Sequence, residues 1–131
     1  MKVINIRTDK RNQMIDITAK IKEVLIQSNI KSGLCTLYVP HTTAAVTINE
    51  GADPDVRSDI TAFMNELIPN RQSFKHAEGN SDSHIKTSLF GPSETIIVED
   101  SDLVLGTWQV IYFCEFDGPR TRKLYIKIIG D

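Results

Sequence analysis

The chain reads as an α+β domain built on a mostly antiparallel sheet with two to three helices. Two observations point there. Short β-rich runs are separated by turns of hairpin length, and the helical segments interrupt them in the order β-β-α-β-β-α-α-β-β-β, without the regular βαβ rhythm of a doubly wound sheet. The 131 residues suit one domain, 1–131, with a proper hydrophobic core, and no repeat, linker or low-complexity segment divides it.

Val3-Ile4-Asn5-Ile6-Arg7 alternates as a strand, and Met14-Ile15-Asp16-Ile17 reads as its hairpin return after the polar turn Asp9-Lys10-Arg11-Asn12. Thr18 is a plausible N-cap. Ile21, Val24, Leu25 and Ser28 follow at helical spacing, so a helix is expected over about 18–31, stopped by Gly33. Leu34 to Val39 is a short apolar strand ended by Pro40, and Ala45 to Asn49 resumes the strand pattern after the His41-Thr42-Thr43 corner.

Asp53-Pro54 starts the best helix in the sequence, an acidic cap with proline at the first helical position. Val56, Ile60, Phe63, Met64, Leu67 and Ile68 form its apolar stripe, which Pro69 stops. Residues 70–83 are polar and irregular, and a short helix around 81–90 ends at Gly91-Pro92. Thr95 to Val98 is a strand. A long β run from Leu103 to Phe116 crosses Gly106, a candidate bulge, and Asp117-Gly118-Pro119 turns the chain into a last strand, Arg122 to Ile129.

An apolar fraction of 40% and a charged fraction of 24% describe an ordinary globular protein. A net charge of −2 and a pI near 5.9, without a basic block, argue against nucleic acid as the main partner. No apolar stretch is long enough to span a bilayer and no signal peptide opens the chain, so a cytoplasmic protein without a membrane partner is expected. Cys35 and Cys114 fall in apolar strand-like runs, which favours buried reduced thiols over a disulfide.

The three histidines all stand in short polar stretches. His41 lies at a strand-ending corner beside Thr42 and Thr43. His76 and His84 are eight positions apart, with Glu78 and Asp82 between them and Lys86 beyond. Such a gap is not the i, i+4 interval of a helical zinc motif, though it suits one ligand on a loop and one on a first helical turn. Imidazole is a common metal ligand and acid/base group, but each histidine by itself has a bland reading as a solvated side chain. Glu115-Phe116-Asp117-Gly118-Pro119-Arg120-Thr121-Arg122 sets a glutamate late in a buried strand before a turn with two arginines, a pattern that could grip a phosphate.

Together these segments match a longer pattern. His41-Thr42-Thr43-Ala44-Ala45-Val46-Thr47-Ile48-Asn49-Glu50 with Asp53-Pro54-Asp55-Val56 resembles the first signature of the YjbQ-like, or secondary thiamine-phosphate synthase, family. His76-Ala77-Glu78-Gly79-Asn80 followed by Ser83-His84-Ile85-Lys86-Thr87-Ser88-Leu89 resembles its second, and Leu105-Gly106-Thr107-Trp108-Gln109 running to Glu115-Phe116-Asp117 and Arg120 its third. Ser81 and Ser83 fill a variable linker, and Phe90 stands where an aliphatic residue is more usual.

The resemblance implies the family's α+β fold, association as a homotrimer, and a divalent metal, zinc first among the candidates, on His41, His76 and His84. It also implies a reaction joining a hydroxymethylpyrimidine diphosphate to a thiazole phosphate with release of pyrophosphate, as a main or side activity. On that reading Glu50, Glu115 and Arg120 are the catalytic candidates, and Thr43, Asn49, Lys86 and Arg122 would bind the phosphorylated substrate. A metal-dependent hydrolase of a phosphorylated small molecule is one alternative, and a non-catalytic trimer that binds a metal or an anion is another.

Overall fold

In the computed structural model, which describes residues 1–131, two antiparallel sheets share one core. The first sheet runs β1 (Lys2–Arg7), β8 (Thr121–Gly130), β3 (Gly33–Tyr38), β5 (Ser93–Glu99) and β6 (Asp102–Leu103). The second runs β2 (Gln13–Asp16), β7 (Gln109–Glu115) and β4 (Ala44–Glu50). Helices α1 (Thr18–Ser28), α2 (Pro54–Leu67) and α3 (Ser81–Phe90) complete the chain. None of them is long and apolar enough to cross a membrane.

Strand alternation decides which side chains meet. Cys35 and Leu37 of β3, Ile96 and Val98 of β5, and Leu124 and Ile126 of β8 point inward, where Val46, Ile111 and Phe113 of the second sheet and Ile21 and Leu25 of α1 pack on them. The other face of the second sheet makes a smaller core from Met14, Ala45, Tyr112 and Cys114 with Phe116, and Ile60 of α2 and Phe90 pack on it. β7 therefore has apolar cover on both faces, which is why its sequence is a continuous apolar run. Both cysteines are free and buried, and burial pushes the Cys35 thiol up to about 11.

Four expectations change. The first two strands are not a hairpin: β1 pairs with β8 (Ile6 opposite Arg122) while β2 pairs with β7 (Met14 opposite Cys114), so the turn between them crosses from one sheet to the other. Alternation marks which side faces the core, but it does not name the pairing strand. Helix α1 stops earlier than Gly33, at Asn29 in the left-handed conformation (φ 58°), and its cap position is Ile17. Thr18 is already helical, and its N–H and hydroxyl both donate to Asp16 Oδ1 (3.0 and 2.7 Å).

The run 103–116 breaks into β6 and β7. The Gly106 N–H donates to the Gln109 side-chain oxygen and the Gln109 N–H to the Gly106 carbonyl, which makes a turn instead of a bulge. Helix α2 starts as the sequence reads, with Asp53 Oδ1 accepting from the Asp55 N–H at 2.9 Å. Its stripe is only partly used, however: Phe63 and Leu67 stay 59% and 54% exposed.

Candidate functional site

Each sheet hands the chain to the other at one end, and the two handovers lie side by side. β3 pairs with β8 as far as Tyr38 opposite Tyr125. The ladder ends there because Pro40 has no N–H to continue it. His41 takes the next open donor: its Nε2 accepts the Lys123 N–H of β8 at 2.9 Å. The chain then enters the second sheet, where Ala44 opposes Glu115. The return path runs through residues 116–120, and the Phe116 N–H donates to the Thr43 carbonyl at 3.2 Å, joining the two crossings.

A buried ion pair fills this junction. Glu115 is fully buried and Arg122 is 2% exposed. Glu115 accepts from the Thr8 hydroxyl at 2.8 Å, from Arg122 Nε and Nη2, and from the Phe116 and Asp117 N–H groups at 3.1 Å. Arg122 Nη2 also donates to the carbonyl and hydroxyl oxygens of Thr43 (3.2 and 2.8 Å). Four strands are tied together at one point, since Thr8 follows β1, Thr43 precedes β4, Glu115 ends β7 and Arg122 begins β8. Gly118 is required beside it, because a Cβ there would lie 2.8 Å from both Glu115 Cγ and Thr8 Oγ1 and would collide with the Lys10 carbonyl.

Above the junction is an open cleft of about 590 Å³ lined by Tyr38, Pro40, His41, Thr42, Arg120 and Arg122 among others, with no carboxylate in its wall. Burial holds the His41 imidazole below its ordinary value of 6.5, and the nearby positive Arg122 and Arg120 act in the same direction. A neutral ring that accepts on Nε2 carries its proton on Nδ1, so His41 has no free lone pair in this arrangement. Arg120 is held by its neighbour Asp117, with Nε on the carbonyl (3.0 Å) and Nη2 on the carboxylate (3.1 Å), and stays half exposed. Asn80 Nδ2 donates to the same carboxylate at 2.9 Å.

His76 and His84 are not in the lining of this cleft; they meet each other, their rings edge to face with centroids 5.2 Å apart. Glu78 Oε2 is 3.9 Å from His76 Nε2. No group of three or more His, Cys, Asp or Glu side chains is gathered for one ion. Within the chain the expected three-histidine centre thus divides into a pair, His76 and His84, and His41, which is committed to the Lys123 N–H. A single chain does not fit a three-imidazole metal, and no chemistry is derived through one.

The other expected site residues also part company. Thr43, Glu115, Arg120 and Arg122 come together, but Glu115 is a saturated acceptor rather than a free acid or base. Thr43 and most of Arg122 are buried in the ion-pair network, and only Arg122 Nη1 is left without a partner beside the cleft. Asn49 and Glu50 are at the far end of β4, roughly 20 Å from Thr43 at the usual strand rise. There Asn49 Oδ1 accepts the Glu50 N–H and Glu50 Oε2 the Ala52 N–H, which turns both side chains to the local turn.

Lys86 is 1% exposed and cannot reach a ligand in the cleft. Its Nζ donates to Asn12 Oδ1 (3.1 Å) and Asn65 Oδ1 (2.6 Å), with Asp82 Oδ2 at 3.8 Å. Burial lowers its pKa, and the Asp82 charge opposes the shift.

Three contributors went unmarked in the sequence. Thr8 supplies the hydroxyl on Glu115. Arg11 grips Asp82 with two bonds of 2.8 and 3.0 Å. Ser83 donates to the Phe116 carbonyl at 2.6 Å and docks α3 against the junction. A buried serine in a helix carries no periodic signal, and Arg11 stands in what reads as a solvated turn.

A family model described as UPF0047 protein YjbQ-like matches residues 2–131. The chain belongs to the YjbQ-like UPF0047 family. It is 56% identical over 126 residues to UPF0047 protein MJ1081 of Methanocaldococcus jannaschii, covering 96% of this chain and 91% of that one. It is 50% identical over 131 residues to UPF0047 protein YugU of Bacillus subtilis, covering 99% of both. Among solved structures, an uncharacterised family member from Clostridium acetobutylicum superposes with a TM-score of 0.96 at 48% identity, covering 98% of this chain and 100% of that one. The hypothetical protein APE1520 of Aeropyrum pernix gives 0.94 at 39% identity, covering 99% and 98%. The family's sandwich of two sheets and three helices is thus the architecture of this chain.

Proposed function

We propose that the chain is an enzyme of the secondary thiamine-phosphate synthase type, working in the cytoplasm and binding a diphosphate in the His41–Arg120 cleft. One observation carries this reading: the cleft wall offers donors and positive charge but no carboxylate, and the two carboxylates behind it, Glu115 and Asp117, are held by Arg122 and Arg120. A wall of this kind receives a polyanion and stabilises it as it leaves.

The same observation favours the synthase over the hydrolase. In the synthase step the thiazole nitrogen attacks the methylene carbon of the pyrimidine. The new C–N bond forms as the C–O bond to the diphosphate breaks, and the electron pair leaves with pyrophosphate. That nitrogen carries no proton, so no general base is needed. A hydrolase must deprotonate water, and no free carboxylate is within the wall to do so.

The test is incubation of the purified protein with the pyrimidine diphosphate and the thiazole phosphate, with both products measured. Thiamine phosphate and pyrophosphate are expected in equal amounts, and both are to be lost in Arg120→Met. Pyrophosphate released without the thiazole would favour the hydrolase. No product and no bound diphosphate would end the enzyme reading.

The trimer belongs to the same proposal. Across β5, β3 and β8, Ile97, Leu34 and Ile129 lie side by side on the outer face of the first sheet, 56%, 47% and 59% exposed. Tyr38 and Tyr125 stack beside them at 6.4 Å. A second apolar set, Phe63, Leu67 and Leu89, is exposed on α2 and α3. Two unlike apolar faces suit a closed ring, in which each subunit presents one face to the next, better than a two-fold dimer. Zinc, if bound, would rest on His76 and His84 with a further donor from outside the chain.

A further inference from the structure

A second groove, sharing no residue with the His41 cleft, opens between β2 and α2, with a volume of about 480 Å³. Its wall includes Lys10, Asn12, Gln13, Arg57, Ser58 and Asn65, and no Asp or Glu. The three amides decide its character. Lys86 Nζ is a pure donor, so Asn12 and Asn65 must both turn their oxygens to it. The Asp9 backbone N–H likewise takes the Gln13 oxygen at 2.8 Å. Every amide acceptor in the wall is therefore used inside the protein, while all three NH2 groups lack an internal partner.

The cations are arranged the same way. Arg57, also in the wall, is fixed by Nη1 on the Met14 carbonyl (3.2 Å) and by stacking 5.2 Å from the centre of the Tyr112 ring. Lys10 stands exposed at the rim. Chance surfaces mix donors and acceptors, whereas this wall is nearly all donor. The volume is within the range of roughly 300–1,000 Å³ typical of small-molecule sites. We propose that this groove is a second binding site, for the phosphate group of a small organic molecule. Lys86 is its positioning residue: it touches no ligand but locks Asn12 and Asn65 with their NH2 groups outward. The inference does not depend on the reaction proposed for the other cleft.

The experiment titrates the intact protein with inorganic phosphate and with ribose 5-phosphate, with ribose as the unphosphorylated control. The side-chain NH2 resonances of Asn12, Gln13 and Asn65 are followed by NMR. Both phosphates should shift these signals with saturation, the sugar phosphate with a Kd below about 1 mM, and ribose should not. Asn65→Asp keeps an oxygen facing Lys86 and replaces the outward NH2 with a carboxylate oxygen, so it should weaken binding at least tenfold in a folded protein. Ser58→Asp, on the exposed helix surface, is the second variant and should do the same without touching any internal bond. Arg120→Met should leave this binding unchanged. Absence of saturable shifts, or binding insensitive to both Asn65→Asp and Ser58→Asp, or binding lost with Arg120→Met, would overturn the proposal.

Discussion

Arg122 and Glu115 form an ion pair in which the guanidinium meets one carboxylate with both Nε and Nη2, and neither side chain is more than 2% exposed. The pair joins the last residue of one sheet's central strand to the start of a strand in the other sheet. Removing only Arg122 would strand a buried carboxylate. Arg122→Met is accordingly expected to cost about 3–5 kcal/mol of stability by chemical denaturation. The double variant Arg122→Met/Glu115→Gln should recover part of that loss, since it leaves no uncompensated charge. Equal losses in the single and double variants would show that packing, and not charge, makes the junction stable.

Arg120 contrasts with Arg122. It is half exposed and held only by Asp117 at the rim. Arg120→Met should leave stability within about 0.5 kcal/mol of the parent protein. Loss of an anion-facing charge should lower turnover of the proposed diphosphate substrate by roughly 100-fold. Retained activity would move the reacting diphosphate out of this cleft.

His41 supplies the pH dependence. Its folded pKa is depressed by burial and by Arg122 and Arg120, against the opposing charge of Glu115. A depressed histidine means that the unfolded chain binds more protons in the window just below the ordinary value of 6.5. Stability from this group is therefore fully present above that value and is lost as pH falls through the window towards the folded pKa. The protonated ring cannot accept from Lys123, so exchange of the Lys123 amide should speed up as His41 titrates. NMR titration of the ring with amide exchange measured in parallel checks both. A His41 that titrates above 6.5, or a Lys123 amide indifferent to it, would contradict the neutral acceptor role.

Much of this was legible in the sequence where a signal is local. Asp53-Pro54 marks a helix start because capping uses neighbours, and the apolar alternation of β3, β5 and β8 marks the core side. Pairing was not legible, since Ile6 and Met14 have the same pattern in different sheets. The site divided along the same line. Thr43, Glu115, Arg120 and Arg122 converge because β4 and β7 are paired neighbours with Ala44 opposite Glu115. Glu50 belongs to the same motif but stands at the other end of that strand, a distance no linear motif displays. Lys86, four positions after Asp82 on α3, shows in the sequence neither its burial nor its partners Asn12 and Asn65, which come from other elements.

The separation of the histidines makes metal retention informative. His76 and His84 adjoin one another, whereas His41 spends Nε2 on Lys123. In protein purified with zinc and then dialysed, His76→Ala and His84→Ala should each reduce bound metal. His41→Ala should leave it near the parent level. Equal loss in all three would mean that another subunit brings its His41 to the pair.

The exposed sheet face gives the last prediction. Ile97 lies beside Leu34 on the apolar outer surface and belongs to neither of the chain's two cores, so replacing it should hardly disturb the monomer. A lysine at this position would place a charge in the proposed subunit interface, where an unpaired cation costs several kcal/mol. Ile97→Lys is expected to sediment as a monomer with the melting curve of a folded domain, while Thr107→Lys, on the exposed turn before β7, remains a trimer. Because the proposed ring uses two unlike faces, Phe63→Lys on α2 should dissociate it as well. A trimer that survives Ile97→Lys would remove the outer sheet face from the interface. Survival in Phe63→Lys alone would leave the sheet face in contact with some other part of the neighbouring subunit.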